Sequence, residues 1–124
     1  MKIHYSVEKL EVEDGIENDI ENYFIINFKI ETDDLECSFD FSLINEQVEE
    51  FINFTNNVHN TFVNNTGIFH YLNIKNGEYD TFRCRYINDN IILTYNMTKF
   101  KFKNIPEILS IFIDINTCLE KYLS

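Results

Sequence analysis

Tryptophan is absent, proline occurs once, and glycine and cysteine occur three times each in 124 residues. So little glycine and proline excludes a low-complexity or collagen-like chain. The three cysteines, Cys37, Cys84 and Cys118, stand far apart with no C-x-x-C pair, which makes neither a disulfide framework nor a zinc arrangement. They read as reduced core residues. Positive charge is also scarce: 10 Lys and Arg stand against 21 Asp and Glu, for a net charge of −11 and a pI near 4.5. That balance argues against a protein that grips phosphate backbones over its whole surface. Long apolar runs are missing as well. Met1 to Val12 alternates polar and apolar residues, which predicts neither a secretory signal nor an anchor and points to a soluble, cytoplasmic protein with no membrane partner. The sequons at Asn53, Asn64 and Asn96 then carry no functional weight.

What remains is rich in core-forming residues, with 44% hydrophobic and 15% aromatic, enough apolar surface to offset chain entropy in one domain spanning 1–124. Phe24, Ile26, Phe28 and Ile30 alternate with polar residues, and Leu35, Cys37, Phe39 and Phe41 do so again after Asp33 and Asp34. A two-residue turn there pairs Ile30 with Cys37, Phe28 with Phe39 and Ile26 with Phe41, so one face is apolar. Ile3, Tyr5 and Val7, then Leu10 and Val12 after a phase slip, predict a first strand with a bulge near Glu8 and Lys9. From Asn45, taken as a cap, Val48, Phe51, Ile52, Thr55, Val58, His59 and Phe62 recur at helical spacing. Asn64 to Gly67 ends that helix.

The second half follows a similar plan. Asn76-Gly77 predicts a hairpin that pairs Tyr71 with Phe82 and Phe69 with Cys84. Asp89-Asn90 turns the chain into one strand from Ile91 to Lys103, with a bulge or bend between Met97 and Phe100. Asn104 and Pro106 open a second helix whose face comprises Ile108, Ile111, Phe112, Ile115, Leu119 and Tyr122. Strand-to-helix junctions match at an offset of about 61 positions, Phe39 with Phe100, Phe51 with Phe112. The expected fold is therefore α+β, with two βββα halves, 1–63 and 64–124, forming a mainly antiparallel sheet of about six strands with both helices on one face.

Charge divides unevenly. Residues 1–50 carry 15 acids and 3 bases, whereas residues 51–124 carry 6 acids and 7 bases. The acids gather in the segment holding Glu11, Glu13, Asp14, Glu17 and Asp19, then at the hairpin tip in Glu31, Asp33, Asp34 and Glu36, with Asp40 on the same outward face. Glu31 opposite Glu36 is an unfavourable pair that a basic partner, a cation or water and salt must offset. Neither run has the ligand spacing of a calcium loop, and no metal or cofactor is expected. A secondary patch is predicted on the outward face of the second half, with His70 opposite Arg83 and with Arg85 nearby. Lys99, Lys101 and Lys103 follow, as edge lysines that discourage aggregation. Ile74, Tyr79, Ile87 and Ile92 are expected on that same face, making it adhesive.

No nucleophile elbow, phosphate loop or cysteine with a neighbouring base is present, so the chain does not read as an enzyme. His59 reads as a packing residue on an apolar stripe, and His4 and His70 share an aliphatic-His-Tyr context. An acidic surface of this kind steers toward a basic protein and occupies the region where that protein's own nucleic acid would lie.

In size, acidity, single α+β domain and the acidic runs Glu8 to Glu21 and Glu31 to Glu36, the chain resembles the small immunity proteins that bacteria pair with toxins. The resemblance covers general character, and no functional residue is carried over from it. It implies a non-catalytic inhibitor bound one-to-one to a cognate toxin, often a basic nuclease. No direct nucleic-acid contact is expected on charge grounds: basic strands such as that of Lys99, Lys101 and Lys103 can bind phosphates, but the nearby negative half repels nucleic acid. A phage anti-defence nucleic-acid mimic, an enzyme or small-ligand protein using a pocket between sheet and helices into which His59 or the tyrosines point, and a structural homo-oligomer using Leu109 and Ile113 of the second helix are the alternatives. Monomer and homodimer both fit the residues.

Overall fold

A computed structural model describes residues 2–13, 20–34, 36–76, 80–88 and 90–123. In chain order the elements are β1 (Lys2–Glu13), β2 (Ile20–Glu31), β3 (Glu36–Leu43), α1 (Asn45–Asn64), β4 (His70–Asn76), β5 (Asp80–Ile87), β6 (Asn90–Tyr95), β7 (Thr98–Phe102) and α2 (Ile105–Leu123). The α+β class and antiparallel pairing hold. The single six-stranded sheet does not: the strands form two sheets, β1-β2-β3 and β4-β5-β6-β7, so the halves read βββα and ββββα. Among the described residues no helix is long and apolar enough to cross a membrane.

The extra strand has a local cause. Asn96 takes a left-handed backbone, φ 53°, a conformation that asparagine tolerates better than most residues. With Met97 it makes a two-residue turn between Tyr95 and Thr98, which breaks the expected long strand in two. Asn88, φ 50°, does the same at the β5–β6 turn. The turn therefore sits one residue earlier than Asp89-Asn90, and Cys84 pairs with Leu93 instead of Tyr95. Asp89 itself lies outside the described residues. This slip of two keeps every side chain on its expected face.

The β4–β5 hairpin departs further. Asn76 pairs with Asp80, Ile74 with Phe82 and Leu72 with Cys84, leaving three residues, Gly77 among them and outside the described set, to make the turn. The register is thereby three positions from that of an Asn-Gly turn, and an odd slip exchanges the faces of β4. Leu72 and Ile74 are buried while Phe69 and Tyr71 are half exposed, the reverse of expectation. Ile74 thus leaves the outward face, Ile87 and the half-buried Ile92 stay on it, and Tyr79 lies outside the described residues.

The first hairpin matches its pattern: Ile30 pairs with Cys37, Phe28 with Phe39 and Ile26 with Phe41. No bulge interrupts β1, which pairs continuously from Lys2 opposite Glu31 to Glu13 opposite Ile20. Leu10 therefore points outward, 50% exposed, and Lys9 takes the inward side, its ammonium 5.6 Å from the Tyr122 ring centroid, where the aliphatic stem covers apolar surface.

The helices close the core. Asn45 is the first residue of α1 and not its cap; the preceding Ile44 N–H donates to the Gln47 side chain, 3.1 Å. The cap of α2 is as expected, with Asn104 accepting from the Glu107 N–H and donating to its carboxylate. Phe41 stacks on Phe82 at 3.9 Å between centroids, Phe39 on Tyr95 at 5.1 Å, and Phe51 touches both Phe41 and Phe112. The buried faces of both sheets and both helices are thus one core. Thr55 and Asn116, both buried, hydrogen-bond between the helices at the same separation of 61 positions as Phe51 and Phe112.

Candidate functional site

Because the core claims one side of each sheet, the other sides are left uncovered by the described residues, and of the charged residues singled out in the sequence these two faces carry Glu31, Glu36, Asp40, Arg83 and Arg85. On the three-stranded sheet the pairing sets rows of outward residues: Lys2, Glu31 and Glu36; His4, Lys29 and Ser38; Ser6, Asn27 and Asp40. An open groove of about 400 Å³ lies over the last two rows, and Asn27 donates to the Ser6 hydroxyl across it, 3.1 Å.

Glu31 faces Glu36 as expected, but the compensation is internal. The Lys29 ammonium lies 3.2 Å from Glu31 and 3.3 Å from Glu36, and the His4 ring lies 3.5 Å from Glu31. Lys29, then His4, holds the Glu31 carboxyl below the usual carboxylate range, and the two carboxylates hold Lys29 above its own. No outside cation is needed at that pair. The signal was available, since Lys29 shares the outward parity with both acids, two residues from Glu31.

Asp33 and Asp34, at the tip beyond this clamp, are exposed and have no ion pair among the described residues. Asp40 is exposed midway along β3. Glu11 is exposed but tied to Lys9 at 3.4 Å. Asp14, Glu17 and Asp19 lie outside the described residues, and of Glu13 only the backbone, at the end of β1, is described.

The secondary patch is rearranged by the β4–β5 register. His70 pairs with Tyr86, not Arg83, and its imidazole turns toward α1, 2.5 Å from the Thr61 hydroxyl. It leaves the patch. Arg83 and Arg85 remain on the outward face, where Tyr71, Thr94 and Lys99 join them around a groove of about 300 Å³. The Asn-Gly register puts Tyr71 in the core, which hides it from this patch, while Lys99 reads from the sequence as an edge lysine beside it.

Two further groups lie off these faces. His59, Phe62 and Val63 meet Leu109, Ser110 and Ile113 around an apolar groove of about 250 Å³ between the helices, with His59 Nδ1 buried and without a hydrogen-bond partner among the described residues. Tyr5 donates to Asp114 of α2 at 2.6 Å, and that bond pushes the phenol up to about 12. Burial alone raises the Cys84 thiol, which makes it unreactive. Among the described residues no three His, Cys, Asp or Glu side chains converge as a metal site. Comparison with family models, with curated proteins and with solved structures returned no match to this chain.

Proposed function

We propose that the protein is a non-catalytic inhibitor that docks a basic protein on the acidic tip and outer face of its three-stranded sheet, in the manner of an immunity protein facing a cognate toxin, a basic nuclease being the fitting class. The observation that carries this reading is the pair Asp33 and Asp34, exposed at the end of a hairpin whose other two acids are clamped by Lys29. The clamp offsets the charge of Glu31 and Glu36 and leaves the tip's negative charge for a partner. Asp40 extends that charge along β3 beside the open groove, and the net charge of −11 adds long-range steering.

The test is affinity capture from the native cell at low salt, with the Asp33→Lys/Asp34→Lys chain as matched bait. Recovery of a basic protein by the natural chain and its loss by the reversed chain support the reading. Equal recovery by both baits, or recovery of no basic protein, overturns it.

A further inference from the structure

We propose that the outer face of the four-stranded sheet binds single-stranded nucleic acid, its cations holding the backbone and the Phe69–Tyr71 pair stacking against bases. The argument starts from register. Arg83 of β5, Thr94 of β6 and Lys99 of β7 form one outward row, and Arg85, Ile92 and Lys101 form the next. The backbone positions of four cationic residues therefore form a rectangle about 7 Å along the strands by about 10 Å across them. None has an ion pair among the described residues, and no described outward position on these four strands carries a carboxylate.

Lysines on β7 alone have a simpler explanation, because β7 is an edge strand and edge lysines block strand addition. The arginines do not. β5 is an interior strand, paired on both sides by β4 and β6, so Arg83 and Arg85 protect no edge. Their mutual repulsion, with no ion pair to relieve it among the described residues, is relieved by a polyanion.

The aromatic residues decide which polyanion. Tyr71 pairs with Arg85, and its ring stacks on Phe69 at 6.5 Å between centroids, 12° from parallel. Both residues keep about half their surface in water, Tyr71 48% and Phe69 51%. An acidic protein segment answers the cations but leaves these flat faces unused, whereas bases of a single strand stack on them. Duplex bases are already stacked on each other and gain nothing from that platform. The whole-chain charge of −11 opposes the approach of a polyanion but does not abolish contact at this face, since the acids gather in residues 1–50 and the acidic hairpin belongs to the other sheet. Glu50 of α1, across the groove at the β4 edge from Tyr71 and Asn73, limits the surface on that side.

The experiment is fluorescence anisotropy of labelled oligothymidylate and oligouridylate of about 20 nucleotides with the full chain. Three or four phosphate contacts predict a fall in affinity of about 30-fold between about 50 and 200 mM salt. Arg83→Gln/Arg85→Gln and Phe69→Ser/Tyr71→Ser should each weaken binding about tenfold or more. Both replace exposed or half-exposed outward residues, and far-ultraviolet circular dichroism verifies the fold. Asp33→Asn/Asp34→Asn should leave binding intact, which separates this site from the acidic tip. Binding of either oligomer with these losses supports the proposal. Absence of binding at low salt overturns it, as does affinity that survives both double variants. Displacement of the oligomer by poly-glutamate, charge for charge, overturns it in favour of an acidic protein.

Discussion

Truncating Phe82 tests whether the two sheets share one core. Its ring is 1% exposed and lies 3.9 Å, centroid to centroid and 13° from parallel, from the ring of Phe41 on the other sheet. A buried phenyl side chain removes about 150–200 Å² from water, which at about 25 cal/mol per Å² is about 4 kcal/mol. The cavity opening against Phe41 and Phe39 keeps the expected loss for Phe82→Ala at about 3–5 kcal/mol, a large share of the roughly 5–15 kcal/mol that holds a domain of this kind together. Phe82→Leu, which refills much of the space, should lose about 1–2 kcal/mol and gives a measurable baseline if the alanine variant is too unstable. Urea unfolding followed by circular dichroism and by tyrosine fluorescence suits a chain with 7 Tyr and no Trp. Both probes should report one coincident transition with a lower midpoint and unchanged slope. A loss below about 1 kcal/mol, or two separated transitions, would refute the shared core.

Tyr5→Phe should cost about 1 kcal/mol by removing the bond to Asp114; because folding raises the phenol from 10.0 to about 12, that stabilisation is complete below pH 10.0 and lost as pH rises toward 12, readable by phenolate absorbance against stability. Glu31 works with the opposite sign: its carboxyl is held below the usual range by Lys29, so its contribution is present above that range and disappears as acid protonates it, and Lys29→Met should flatten this acid limb of the stability profile. Asn96→Gly, at φ 53°, should be neutral to within about 1 kcal/mol while Asn96→Val should destabilise by about 1–2 kcal/mol, measured by thermal melts. Asn116→Leu leaves the Thr55 hydroxyl without the interhelical donor in a buried site and should cost about 1–3 kcal/mol, with Thr55→Val/Asn116→Leu recovering part of it.

The first hairpin was legible because alternation and turn agree: with Asp33 and Asp34 between the strands, only one register buries Phe28 with Phe39. The second hairpin was misread because a strong local signal at Asn76-Gly77 competed with a face preference that sequence weighs evenly, Phe69 and Tyr71 against Leu72 and Ile74. Burial of the aliphatic pair against the core decided it. The same slip moved His70 from the basic patch to Thr61 and brought Tyr71 beside Arg85. On β1, a change of apolar phase at Leu10 suggested a bulge, but the inward position went to Lys9, whose stem and ammonium lie against Tyr122; alternation cannot distinguish a bulge from a strand that runs past its core. The division of charge between the halves was legible by counting along the chain; that the two halves form separate sheets, and so put acids and bases on different faces, was not.

The most direct measurement of the proposed inhibitory role is the association rate of the captured basic partner as a function of salt, for the natural chain and for Asp33→Lys/Asp34→Lys. The account predicts a rate that falls as salt rises and drops about tenfold or more in the reversed chain at low salt, with dissociation changing less. An association rate indifferent to salt and to charge reversal at the tip would contradict it.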